Sequence, residues 1–193
     1  NVFKEEPGGR ARLDIMPYTV KDPRHPDRDD TNEVATPGEI WYKRPFKIHR
    51  NVGAENQVKV CPTSIGKKCP MCEWRSKRFK EGAEKEETDA AKTSLRNLYL
   101  VRPKGMKEYD DKPHVWNISQ AMFQAKLNEE IEEDDDYAIF PDLEEGLTLK
   151  IRFTSKTIGK SQPFAETSRI DFIDRQEQYS DDILKDTPCL DDM

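Results

Sequence analysis

Between His49 and Cys72 the chain reads HRNVGAENQVKVCPTSIGKKCPMC, which spaces one imidazole and three thiols as His49-x11-Cys61-x7-Cys69-x2-Cys72. Thiolate and imidazole are the donors that a borderline-soft divalent ion takes, and a Cys₃His set closes a tetrahedral shell around zinc. The Cys69-Pro70-Met71-Cys72 knuckle is the sharpest part, because two thiolates separated by two residues turn onto one ion without disturbing their neighbours. Four protein ligands leave no position for water, so the expected ion is structural. Zinc contributes on the order of 10 kcal/mol to a short peptide that binds it, so the segment is expected to fold around the ion. A redox dithiol would sit at the end of a strand in a βαβ unit, whereas here Lys67 and Lys68 precede the pair in a loop. His25 and His114 lie farther from the cysteines and would need long return paths, which leaves His49 as the expected fourth ligand. Asp134-Asp135-Asp136 is the other cluster that could hold a metal, as a nuclease would require. Consecutive acids point in different directions, however, and the run reads as a solvated loop.

A second chemistry follows from aromatic rings interleaved with cations. Bases present a flat π face whatever their identity, so sequence-tolerant binding of unpaired strands needs rings beside phosphate-facing charges. Trp41-Tyr42-Lys43-Arg44 with Lys47, Trp74 with Lys77, Lys92, and Arg96 to Arg102 around Tyr99 supply that mixture, and Lys150, Arg152 and Lys156 add outward cations later. Tyr42 and Phe46 are expected in the core, while Trp41 and Tyr99, on faces opposite their aliphatic neighbours, are expected to meet bases. Residues 41–80 hold 11 Lys/Arg against two Glu, residues 129–145 hold ten acids and no base, and residues 176–193 hold six acids against Lys185. A net charge of −6 therefore conceals a cationic middle and an acidic end. Such segregation suggests a polyanion site and a terminal segment that competes for it.

The elements that must position these groups are short. Alternation over Arg12–Pro17 predicts a half-buried strand, and Ile40–His49 a second with Ile40, Tyr42, Phe46 and Ile48 on one face. Residues 21–38, rich in proline and charge, predict a long exposed loop. Met71 to about Ala83 predicts a helix leaving the metal. Asn97–Val101 and His114–Ile118 predict strands, followed by a helix capped by Ser119 that runs to about Glu130 with Ala121, Met122, Ala125 and Leu127 inward. Thr148–Thr154 and Arg169–Ile173 predict a hairpin joined by Gly159–Pro163. The expected fold is mainly β with short helices, an oligonucleotide-binding Greek-key barrel with an inserted zinc subdomain at about 49–92. Residues 1–12 read as a flexible lead-in, 13–175 as the core, and 176–193 as an acidic tail without fixed structure. At 193 residues one domain with appendages is expected. No run is apolar enough to cross a membrane as a helix, and the free thiols suit a reducing cytoplasm. The chain opens at Asn1 without methionine, so an N-terminal arm is expected to precede it.

The order His49, Cys61, Cys69-Pro70-Met71-Cys72, with Leu13–Pro17 before it and Asn97-Leu98-Tyr99-Leu100-Val101 and the late hairpin after it, resembles the zinc-containing single-stranded DNA-binding proteins of tailed bacteriophages, the T-even type. The resemblance covers roughly residues 10–175, and its most specific part is the metal motif. It implies that His49, Cys61, Cys69 and Cys72 hold zinc. It also implies a non-enzymatic protein in the host cytoplasm that coats unpaired DNA during replication, recombination and repair. Implied partners are single-stranded DNA, neighbouring copies on the strand, and replication and recombination proteins reached through the acidic tail. Lys92-Thr93-Ser94 resembles the family's basic segment, whereas of the family's basic N-terminal arm only Lys4, Arg10 and Arg12 are present. A zinc-ribbon adaptor, an RNA-binding regulator and a metal-dependent nuclease are the other readings of these residues.

Overall fold

The structure, a computed structural model, describes residues 1–159 and 162–193. In chain order it runs β1 (Val2–Phe3), β2 (Arg10–Met16), β3 (Tyr18–Thr19), β4 (Ile40–Trp41), β5 (Lys43–Val52), β6 (Gln57–Val60), α1 (Pro70–Lys80), α2 (Lys85–Thr88), β7 (Thr93–Pro103) and β8 (His114–Ser119). There follow α3 (Gln124–Glu133), β9 (Leu147–Lys156), β10 (Phe164–Asp174) and α4 (Ile183–Asp186), with 3₁₀ turns between several of them. Two compact units divide these elements: Asn1–Arg44 with Asn97–Met193, and Pro45–Arg96. The chain leaves the first within β5 and returns within β7.

The first unit is built on a mixed sheet ordered β1-β8-β7-β2-β9-β10. β1 runs parallel to β8, while β2 is antiparallel to both β7 and β9, and β9 to β10. Among the described residues the path ends at β1 and β10 without closing, so the expected closed barrel is not formed. The β9–β10 hairpin is as its alternation predicts, with Leu149, Ile151 and Phe153 buried and Lys150 and Arg152 exposed. Residues 160 and 161 of its expected connection lie outside the described residues.

β2 departs from the half-buried pattern: Leu13, Asp14, Ile15 and Met16 are all buried. It is central, paired on both edges, and covered on both faces, which removes the alternation that a one-sided sheet would show. Leu13 and Ile15 join Tyr99, Trp116, Phe123 and Phe153 in the main core. Met16 faces a second cluster with Tyr18, Leu100, Leu143, Tyr179 and Leu190. Tyr179 and Leu190 belong to the segment expected to lack structure, which instead straps the sheet. The Tyr179 hydroxyl donates to Asp14 Oδ2 at 2.6 Å, and Asp191 accepts from the Tyr18 hydroxyl at 3.0 Å and from the Lys21 and Asp22 amides at 2.7 and 2.9 Å. Apolar residues at 179 and 190 give the strap a reason to dock that its acidic composition conceals.

Other expectations shift for similar reasons. Phe3 is buried in the main core and β1 pairs with β8, so the lead-in is tied down at its start. The helix after β8 begins at Gln124, following a 3₁₀ turn for which Ser119 makes no side-chain cap. It buries Gln124 and Leu127, leaving Ala121 and Ala125 exposed. Ile40 is exposed and Phe46 half-buried, because the expected single strand is broken at Tyr42 into β4 and β5.

Candidate metal centre

The second unit brings the metal motif together by two local devices. β5 and β6 form an antiparallel hairpin that sets His49 opposite Lys59 and Ile48 opposite Val60. Cys61 follows directly, its amide donating to the Lys47 carbonyl at 2.8 Å, so imidazole and first thiol emerge at one end of the hairpin. Pro62 then opens a 3₁₀ turn that Gly66 ends at φ 68°, a left-handed conformation that glycine adopts without steric cost. Pro70 starts α1 at a position whose missing N–H would have no helical partner anyway, with Cys69 just outside the helix and Cys72 in its first turn.

The four donor atoms of His49, Cys61, Cys69 and Cys72 lie within 4.8 Å of one another. His49 Nε2 is 3.2 Å from Cys69 Sγ and 3.6 Å from Cys72 Sγ, and the Cys61 and Cys72 sulfurs are 3.5 Å apart. His49, Cys61 and Cys69 are buried, and none of the cysteines is in a disulfide. The cluster could therefore hold a metal ion, as the spacing predicts.

Its electrostatics favour a cation. Burial works against the Cys61 thiolate, but the Thr63 hydroxyl at 3.0 Å, the Thr63 amide and the neighbouring thiols bring its pKa below the ordinary thiol value. Cys72 is pushed up to about 12, by burial first and then by the two adjacent sulfurs. Three thiols this close resist ionising together unless a positive charge sits among them. Among the described residues His49 Nδ1 is buried and has no hydrogen-bond partner. A metal-ligating histidine ordinarily donates its second N–H to a carboxylate or carbonyl. Thr63 went unnoticed in the sequence, although a Thr two residues after a cysteine is well placed to bond it.

α1 depends on this cluster. It buries no residue and its polar and apolar residues do not segregate, so packing contributes little to it. Its charges pair on the surface, Arg78 with Glu81 at 2.8 Å and with Glu87, but exposed pairs add only about 0–1 kcal/mol each. Its first turn is anchored at Cys69 and Cys72, and the rest of the helix lies against α2 and the 3₁₀ turn at Asp89–Ala91.

The expected nucleic-acid contacts divide sharply. Tyr99 is 0% exposed and its hydroxyl donates to Gln124 at 2.6 Å, so its ring belongs to the core and cannot meet a base. Trp41 packs against both core clusters and its indole N–H donates to Asp27 at 2.9 Å. Lys43 pairs with Asp27 at 2.6 Å, buried Arg44 with Asp22 at 2.7 Å, and Arg102 with Asp111 at 3.0 Å. Trp41 and these three cations serve the fold of the first unit: Asp22 and Asp27 of the 21–38 loop and Asp111 neutralise the cations, and Asp27 also accepts from the indole. Lys156 is exposed but paired with Glu166, and Arg96 is half-buried with a partner of its own. Lys47, Trp74, Lys77, Lys92, Lys150 and Arg152 are exposed. Trp74 is 44% exposed, and Phe79, a second ring of the same basic run, is 41% exposed with the Arg75 guanidinium 4.6 Å from its centroid. The sequence signal for Phe79 was its place in the basic run of α1.

These features define a class: a mainly β protein with short helices and a mixed sheet, carrying an inserted unit with a His/Cys cluster able to hold a metal. No family model matches the chain, and no curated protein matches it. Among the described residues no helix is long and apolar enough to cross a membrane.

Proposed function

We propose that the chain is a non-enzymatic single-stranded DNA-binding protein, on a sheet of the oligonucleotide-binding type, with a structural zinc held by His49, Cys61, Cys69 and Cys72. It is the kind of protein that tailed bacteriophages use to coat unpaired strands during replication, recombination and repair in the host cytoplasm. Zinc suits the donor set on geometry: bonds of about 2.3 Å to sulfur and 2.0 Å to nitrogen in a tetrahedron put sulfurs about 3.8 Å apart and sulfur about 3.5 Å from nitrogen. Three of the six donor separations, 3.2 to 3.6 Å, are within a few tenths of an ångström of those edges, and all six are within 4.8 Å. Bound there, the ion supplies charge compensation and a rigid start to α1. Cys69 and Cys72 fix the first turn, and His49 and Cys61 tie that turn to the hairpin.

The observation that carries the reading is α1 itself, a helix with no buried residue that holds the rings of Trp74 and Phe79 in solvent beside Arg75, Lys77 and Lys80. Exposed rings beside cations offer the stacking faces that sequence-tolerant binding of bases uses. The unit that holds them has 12 Lys/Arg against seven Asp/Glu, in a chain with 32 against 38 overall. Lys47, Lys77 and Lys92 are exposed cations of this unit that would meet phosphates, and Lys150 and Arg152, exposed on β9 of the first unit, are proposed as phosphate contacts of that unit by itself.

Fluorescence anisotropy with labelled oligo-dT and a duplex of equal length, over a range of salt concentrations, tests this. Affinity for the single strand is expected to fall with salt at a log–log slope of about −0.7 per phosphate neutralised. Trp74→Ala is expected to cost about 1–3 kcal/mol of binding, the usual worth of one stacked base. Equal affinity for duplex, or no affinity for either, would overturn the proposal.

A further inference from the structure

The first unit carries a groove of quite different character. About 230 Å³ in volume, it is lined by Pro17, Ile40, Trp41, Ile139 and Pro141 among others, with Asp142 as its one charged residue and no Lys or Arg in the lining. Ile40 and Ile139 are 43% and 39% exposed. Asp142 is the acid that lines it, and the same segment is acidic on both sides: Asp134, Asp135 and Asp136 open the 3₁₀ turn that carries Ile139, and Glu144 and Glu145 follow Asp142 in sequence. Consecutive acids were expected to form a loose solvated loop, yet this one is held firmly. The Arg175 guanidinium donates to the carbonyls of Phe140 and Asp142 at 2.8 and 2.5 Å, the Tyr137 ring stacks on Phe172 at 4.1 Å, and the Asp142 carboxylate caps the Glu144 and Glu145 amides at 2.8 Å each.

We propose that this groove is a docking site for a cationic peptide segment of a partner protein. One large apolar side chain enters between Ile40, Trp41 and Ile139 while flanking lysines or arginines meet the acids of residues 134–145. A volume of about 230 Å³, at the small end for ligand pockets, suits a single side-chain anchor. A central apolar pocket with a charged rim is the arrangement in which one anchor carries the affinity and the rim sets specificity and encounter rate. The charge decides the class of partner. Ten acids without a base between Glu129 and Glu145 repel a nucleic-acid backbone or an anionic lipid surface and attract a basic peptide.

The test is a calorimetric titration of the full chain with a synthetic peptide of alternating lysine and glycine around one central tryptophan, together with NMR of the Trp41 indole N–H. The expected result is saturable binding that shifts the Trp41 signal and weakens at least about tenfold when serine replaces the peptide's tryptophan. Ile139→Lys, at a solvent-exposed position, is expected to abolish binding while leaving the circular dichroism spectrum unchanged. Asp135→Asn with Asp136→Asn is expected to weaken it and flatten its salt dependence. No binding, equal binding of the serine peptide, or full binding to Ile139→Lys would each overturn the proposal. So would displacement of the peptide by oligo-dT at the Trp41 signal, or self-association of the chain that Ile139→Lys removes.

Discussion

Removing the carboxylate of Asp191 distinguishes a docked C-terminal segment from a free one. In Asp191→Ala the Tyr18 hydroxyl and the Lys21 and Asp22 amides lose an acceptor at 2.7 to 3.0 Å, and Arg44 Nε loses a partner at 3.3 Å. The Asp191 and Arg44 side chains are only 3% and 9% exposed, so screening by solvent is slight. Breaking a buried ion pair costs about 3–5 kcal/mol. Arg44 keeps Asp22 at 2.7 Å and the Lys21 amide can turn to water, so the lower end applies, about 3 kcal/mol. For a chain of this length that lowers the melting temperature by about 6–12 °C. Thermal unfolding followed by circular dichroism at neutral pH is the assay. Acid gives an independent readout. Burial opposes ionisation of Asp191, but the Asp22 and Lys21 amides, the Tyr18 hydroxyl and Arg44 outweigh it and hold its pKa below the ordinary 3.8. A carboxylate depressed on folding stabilises above its unfolded pKa and loses that contribution as pH falls through the folded one. The gap between wild type and Asp191→Ala is therefore expected to be full at pH 6 and to shrink below about pH 4. A free acidic tail would make the substitution neutral at every pH. Melting temperatures within about 2 °C of each other, with no narrowing in acid, would refute the docking.

Two further outcomes follow from the geometry. The purified protein is expected to hold one zinc per chain by elemental analysis, and a strong chelator, or Cys72→Ser, should remove amide-exchange protection from α1 while sparing β9 and β10. Protection of α1 that survives metal loss would show that the helix has another anchor. Gly146→Ala is expected to cost about 2 kcal/mol by overpacking, because a Cβ there would lie 2.1 Å from the Asp142 carbonyl oxygen and 2.5 Å from Arg175 Cζ. An unchanged melting temperature would mean that the 134–145 loop is not fixed as described.

The metal cluster was legible from the chain alone because its devices are local. A two-residue knuckle, a proline that starts a helix and a short hairpin bring four donors together within 24 residues, whatever the rest of the molecule does. The β9–β10 hairpin was legible for the same reason: its alternation of Leu149, Ile151 and Phe153 with Lys150 and Arg152 encodes which face is inward. The fate of Tyr99, Arg44 and Arg102 could not be read in this way. A ring or a cation on a strand has the same local pattern whether it faces solvent or a neighbouring element. Which one it meets is fixed by partners on other elements: Gln124 for Tyr99 and Asp22 and Asp191 for Arg44, all more than 20 residues away, and Asp111 across the following turn for Arg102. The strap follows the same logic. Composition marked residues 176–193 as solvated, and only the tertiary structure, by giving Tyr179 and Leu190 a cluster to enter and Asp14 a hydroxyl to accept from, made the segment part of the fold.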